Sequence, residues 1–101
     1  PLQAPEALVQ KYQKRLGHDA TRAVAVTYAM IEAMDTGLAR VFQALKDEGL
    51  WEKTLIVFTS DNGPVHTNYP QLGSQQRFNG LFSGEKQDVL EGGIRVLGIV
   101  T

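Results

Sequence analysis

The sequence predicts an α/β fold, with strands packed between helices, and three observations carry that reading. Ile31, Met34, Leu38, Val41, Phe42 and Leu45 recur at offsets of 0, 3, 7, 10, 11 and 14, which puts them on one face of a helix. Residues 55–58, Leu-Ile-Val-Phe, make a short continuous run that is β-branched and aromatic. Such a run suits a strand covered on both faces, as in a parallel sheet flanked by helices. A second apolar run, Ile94 to Thr101, reads as another buried strand at the end of the chain.

The elements follow in order. APEALVQKYQKRLG is expected to form a short helix: Pro5 suits a first turn, where a missing N–H costs nothing, and Glu6 faces the positive end of the dipole. Gly17 stops it. Asp19 or Thr21 caps a longer helix that runs to about Glu48, with Arg40, Lys46 and Asp47 off its apolar face. Gly49 followed by Leu50 fits a left-handed C-terminal cap. Trp51 reads as packing below the central strand. From Asn62 to Lys86 periodicity is lost and Gly, Asn, Gln and Ser accumulate; a loop of that length in a compact domain is functional or disordered. One long helix and two strands do not complete an α/β sandwich. The chain also opens on Pro1-Leu2 rather than Met and closes within IRVLGIVT, so the reading is an excerpt of a larger domain.

Composition excludes several classes. The net charge is −1 with both signs interspersed, so no basic stripe invites nucleic acid. No apolar run approaches the ~20 residues of a membrane-spanning helix. There is no cysteine, hence neither a disulfide framework nor a thiolate metal site.

Two stretches carry chemistry. In the first, TSDNGP (residues 59–64), an apolar run stops at an acid, an amide, a glycine and a proline. Ligands of open α/β sheets gather beyond the carboxyl ends of strands, where Asp61 and Asn62 stand. Neighbouring side chains on a regular strand point to opposite faces and converge only where the strand breaks. Two readings stay open here. Asp-Asn-Gly-Pro is turn chemistry, or its carboxylate and amide oxygen are hard donors for Ca²⁺ or Mg²⁺, with further ligands from elsewhere. In the second stretch, GEKQDVLEGGIRV (residues 84–96), Lys86 offers a cation in a glycine-rich setting, Gly92-Gly93 allows close backbone passage, and Glu91 and Arg95 are spaced to pair and hold the turn. A solvated loop lysine and purely structural roles for Glu91 and Arg95 are the competing readings.

Taken together, TSDNG, a variable loop, and a lysine five residues before EGGIRV resemble the sulfatase family. YAMIEAMDTGLARVFQALKDEGLWEKTLIVFTSDNG (residues 28–63) resembles the family's helix and strand leading to its metal site, and PLQAPEALVQKY the segment after an active-site histidine. The resemblance spans essentially the whole chain. It implies an alkaline-phosphatase-like mixed sheet sandwiched by helices, present here as a fragment: residues 1–101 form part of a sulfatase catalytic domain without its N-terminal portion. It implies hydrolysis of an aryl or carbohydrate sulfate ester by the full-length parent. Asp61 and Asn62 match divalent-metal ligands, for Ca²⁺ or alternatively Mg²⁺, and Lys86 matches the lysine that contacts the sulfate group, a catalytic and substrate-binding role. The family's nucleophile is a formylglycine made in a Cys/Ser-x-Pro-x-Arg motif, which is absent from residues 1–101, so the fragment alone is expected to be inactive. Gln87 stands where a glycine is common in the family, and Leu97 where EGGIRVP expects proline.

Rival readings are a phosphatase, phosphodiesterase or phosphonate monoester hydrolase of the same superfamily, and a non-catalytic binder of sulfated sugars. Asn62, in place of the histidine that holds a second metal in a Ser-Asp-His pattern, favours sulfate. His66, four residues after Asn62, is a candidate substrate contact, as are Tyr69, Arg77 and Asn79 on the same loop. His18 is read as a surface or capping residue and Asp35 as a buried or capping acid, neither as a catalyst. The implied partners are sulfated small molecules or glycans, and the implied location is periplasmic, secreted or lysosomal.

Overall fold

The computed structural model describes residues 2–17, 21–65 and 81–101. They fall into two compact units, Pro1–Thr54 and Leu55–Thr101.

The first unit is helical. Helix α1 spans Glu6–Leu16 and begins one residue after Pro5, whose carbonyl accepts the N–H groups of Leu8 and Val9 at 2.9 and 3.1 Å. It ends at Gly17, whose N–H returns to Gln13. Helix α2 spans Arg22–Asp47, and Thr21 caps it by accepting the Val24 N–H at 3.4 Å. Its far end closes with paired bonds from Gly49 N–H to Lys46 and from Leu50 N–H to Leu45, at 3.0 and 2.8 Å. This is the bonding of a Schellman cap, and it needs the left-handed φ of +65° that Gly49 adopts.

The core is Val9 of α1 against Ala25, Val26 and Ala29 of α2, with Ala4, Leu8, Tyr12 and Leu16 around it. Fully buried alanines one turn apart let the helices approach closely, and Val9 is worth about 2 kcal/mol of burial. The face read from periodicity lies elsewhere: Ile31, Met34 and Val41 are 52%, 49% and 55% exposed, while Leu38, Phe42 and Leu45 are half-buried. Periodicity shows which face is apolar; it does not show which part of a 26-residue helix another element reaches.

Polar contacts run in step along both helices. Arg22 binds Glu6 with two hydrogen bonds of 2.6 and 3.1 Å, Tyr12 stacks on Tyr28 at 5.6 Å between centroids, and Lys11 binds Glu32 at 2.7 Å. Hydrogen bonding to Arg22 lowers the Glu6 pKa below its ordinary 4.5, and Lys11, then Tyr12, do the same for Glu32. Trp51 opens a 3₁₀ turn, Trp51–Lys53. Its ring meets Phe42 of α2 edge-on at 5.7 Å and lies beneath the Lys46 ammonium at 4.8 Å.

The second unit holds an antiparallel pair of strands, β1 (Val57–Thr59) and β2 (Gly98–Val100). Val57 faces Val100, Phe58 faces Ile99 and Thr59 faces Gly98. Ile56 and Thr101 exchange two further backbone bonds, at 2.8 and 3.1 Å. Within residues 1–101, Leu55, Val57, Ile99 and Val100 are 74%, 61%, 57% and 65% exposed. A continuous apolar run demands cover without naming what supplies it. The second strand also starts later than expected, because Glu91–Ile94 is a helical turn, α3. Leu90 accepts the N–H groups of Gly93 and Ile94, and Glu91 accepts that of Arg95, so these groups are spent before Gly98. In coarse terms the chain is α/β, helices with a two-stranded sheet.

Candidate active site

The site grows from the end of β1. Thr59 Oγ1 donates to Leu97 C=O at 2.9 Å, tying the last strand residue to the entry of β2. The backbone then turns. Ser60 Oγ donates to Asn62 C=O at 3.0 Å, and Asn62 Nδ2 donates to Gly63 C=O at 2.9 Å. That second bond orients the amide and leaves its Oδ1 available. Asp61 is exposed, and its carboxylate has no hydrogen-bond or ion-pair partner among the described residues. Asp61 and Asn62 therefore present a carboxylate and an amide oxygen at a strand end, a donor set suited to Ca²⁺ or Mg²⁺. Two such donors are fewer than either ion requires. Among the described residues no group of three or more His, Cys, Asp or Glu side chains completes a set.

The two stretches singled out in the sequence meet through their backbones. Gly63 N–H donates to Gly93 C=O and Lys86 N–H donates to Pro64 C=O, both at 2.8 Å. Gly92 N–H reaches Ser83 C=O, also at 2.8 Å. The approach is close enough to exclude side chains: a Cβ on Gly63 would lie 1.9 Å from the Gly92 oxygen, and one on Gly93 would lie 2.1 Å from the Asp88 oxygen. Gly63, Gly92 and Gly93 are buried. Lys86 is anchored by its main chain while its side chain is exposed and, among the described residues, without an ion-pair partner. Opposite, Arg95 pairs with Glu91 across the single turn of α3 and lies over the Phe82 ring at 4.7 Å from its centroid.

Three features of this site escaped the reading of the sequence. Asp88 folds back on Glu85, with its side chain accepting the Glu85 N–H at 2.9 Å; the spacing of an acid three residues after a turn glycine-glutamate pair was the available signal. Gln87 has φ of +84°, a left-handed conformation that the family's usual glycine at this position already hinted at. Phe82 under Arg95 had no signal in the sequence. His18, His66, Tyr69, Arg77 and Asn79 lie outside the described residues.

A family model, Sulfatase, matches residues 1–98. The chain belongs to the sulfatase family. Among curated relatives, mouse steryl-sulfatase is 43% identical over 67 residues, covering 65% of this chain and 11% of that protein. Mouse arylsulfatase J is 32% identical over 100 residues, covering 99% of this chain and 15% of the relative. Human N-sulphoglucosamine sulphohydrolase is 47% identical over 45 residues, covering 44% of this chain and 9% of the relative. The chain thus spans a small part of these sulfatases, and among the described residues no helix is long and apolar enough to cross a membrane.

Proposed function

We propose that residues 1–101 are part of a sulfatase catalytic domain of alkaline-phosphatase-like fold, and that the intact protein hydrolyses a sulfate ester. The observation that carries this reading is the backbone stitching of Asp61-Asn62-Gly63-Pro64 to the Lys86 turn and to Gly93. It sets the backbone that carries a hard-oxygen pair beside the backbone that carries a lysine, and these are the groups a sulfated ligand needs, which supports the reading. Asp61 and Asn62 would hold Ca²⁺, or Mg²⁺, together with ligands from outside the described residues. Such an ion supplies positive charge to sulfate oxygens.

Lys86 binds the sulfate group and offsets charge on its oxygens. One charge pair at about 4 Å is worth about 4 kcal/mol at an effective dielectric near 20, and only the part that grows in the transition state speeds the reaction. Glu91 and Arg95 hold α3 behind the turn. His66 is a further substrate contact. The substrate is an aryl or carbohydrate sulfate ester, and the location periplasmic, secreted or lysosomal, both carried by family membership.

Two measurements test the proposal. Peptide mass mapping of the intact protein is expected to find formylglycine in a Cys/Ser-x-Pro-x-Arg motif; a full-length chain without that motif sinks the sulfatase mechanism. Lys86→Ala is expected to lower kcat by about 10²–10³, as for loss of one oxyanion donor. A loss under about threefold removes Lys86 from the active site.

A further inference from the structure

Asp88 bonds twice across the turn that carries Lys86. Asp88 Oδ2 accepts the Glu85 N–H at 2.9 Å, and the Asp88 N–H donates to Glu85 C=O at 2.9 Å. Side chain and main chain of Asp88 therefore grip both backbone polar groups of Glu85 and enclose Lys86 and Gln87 between them. A short acidic side chain suits this reach, since its oxygen meets a backbone N–H close in sequence without a long stem to order.

The surroundings fit Asp88 tightly. A Cβ on Gly84 would lie 3.1 Å from both Asp88 Cβ and Asp88 Oδ2, and a Cβ on Gly93 would lie 2.1 Å from the Asp88 carbonyl oxygen. The glycines on either side of the turn thus make the room that Asp88 occupies. Gln87 holds a left-handed φ of +84° inside the same turn. A conformation rarely adopted by a residue with a side chain persists only where its surroundings over-determine it, and the double grip of Asp88 on Glu85 does so here. Beyond the grip, Lys86 N–H is fastened to Pro64, two residues after Asn62.

We propose that Asp88 is a positioning residue for the reaction: by closing the 85–88 turn it fixes the Lys86 backbone against Pro64, and so sets where the lysine ammonium stands relative to Asp61 and Asn62. The inference deepens the sulfatase reading and rests on it. Asp88 acts through Lys86 and does not touch the sulfate ester.

The experiment is a double-mutant cycle in the intact protein with 4-nitrophenyl sulfate as substrate. Asp88→Ala is expected to lower kcat about tenfold while KM moves less than about threefold, because a displaced lysine loses transition-state contact. Asp88→Asn keeps an acceptor oxygen and is expected to stay within about threefold of the parent in kcat. On a Lys86→Ala background, Asp88→Ala is expected to add less than about twofold, since the residue it positions is gone. A full tenfold loss on both backgrounds overturns the proposal. Asp88→Glu, which carries the oxygen one methylene further, is the second variant should Asp88→Ala fail to fold, and it is expected to match the alanine loss. Hydrogen exchange gives a readout independent of turnover. The Glu85 and Lys86 amides are expected to lose protection in Asp88→Ala and keep it in Asp88→Asn; unchanged protection in both overturns the proposal. Protection lost in Asp88→Ala in a protein without sulfatase activity overturns the sulfatase reading instead, and supports the hold of Asp88 on the Lys86 backbone.

Discussion

Among the described residues, those buried in the helical unit are Val9, Val24, Ala25, Val26 and Ala29, and those buried in the unit that carries Asp61 and Lys86 are Gly63, Gly92 and Gly93. The first region is held by side chains meeting across two helices. The second is held by peptide groups meeting across a turn, with space made by having no side chain at all. Substitution should therefore act in opposite ways in the two regions. Removing atoms harms the helices, whereas adding atoms harms the site. Where conformation rather than space is limiting, as at Gln87, removing a side chain should help.

The sharpest way to break this comparison is Gly63→Ala. Its Cβ would meet the Gly92 oxygen at 1.9 Å, and the neighbour is backbone that cannot rotate away. The expected cost is about 3 kcal/mol, the upper range for overpacking, read as a fall in thermal midpoint of the intact protein; an unchanged midpoint means the two strands of backbone are not in contact. Val9→Ala is the matching deletion in the helices. Loss of two buried carbons and the space they leave is expected to cost about 2 kcal/mol, seen by denaturant titration of the intact protein. A cost no larger than that of an exposed surface substitution would show that α1 and α2 do not share a core.

Gln87→Gly sharpens the contrast from the other side. With φ of +84° at Gln87, glycine is expected to stabilise by about 1 kcal/mol by relieving left-handed strain, and a lowered thermal midpoint would contradict it. The smallest effect is electrostatic. Glu6 and Glu32 have pKa values below 4.5 in the folded chain because Arg22 and Lys11 bind them. Their contribution is fully present above pH 4.5 and is lost as pH falls through the folded values, since the unfolded chain then takes up protons first. Both pairs are exposed and screened, so double replacement by glutamine is expected to flatten the acid limb of a stability–pH profile slightly, and less in high salt.

Much of this was legible along the chain. Thr21, one of the two caps read from the sequence, and Gly49 mark the ends of α2 because capping is a local matter, settled by one side-chain oxygen or one left-handed residue. Asp61-Asn62 was placed correctly at a strand end, since a break from apolar β-branched residues to Asp-Asn-Gly-Pro is equally local. The apolar face through Ile31, Met34 and Val41 was legible, but not that the core would form at Val9, Ala25, Val26 and Ala29, because packing depends on which element arrives. The strand pairing was likewise not readable, for an apolar run carries no mark of parallel or antiparallel partners.

Family membership, the short and the long helix, and the residue types of the site are all written in local sequence: a carboxylate, an amide and a lysine in a glycine-rich frame. Folding adds that Gly63 and Gly93 share a hydrogen bond, that Lys86 hangs from Pro64, and that Asp88 closes the 85–88 turn around Lys86. Caps and chemical groups depend on neighbours a few residues away. Which backbones come within 3 Å of each other depends on the path of the whole chain, and no local pattern records it.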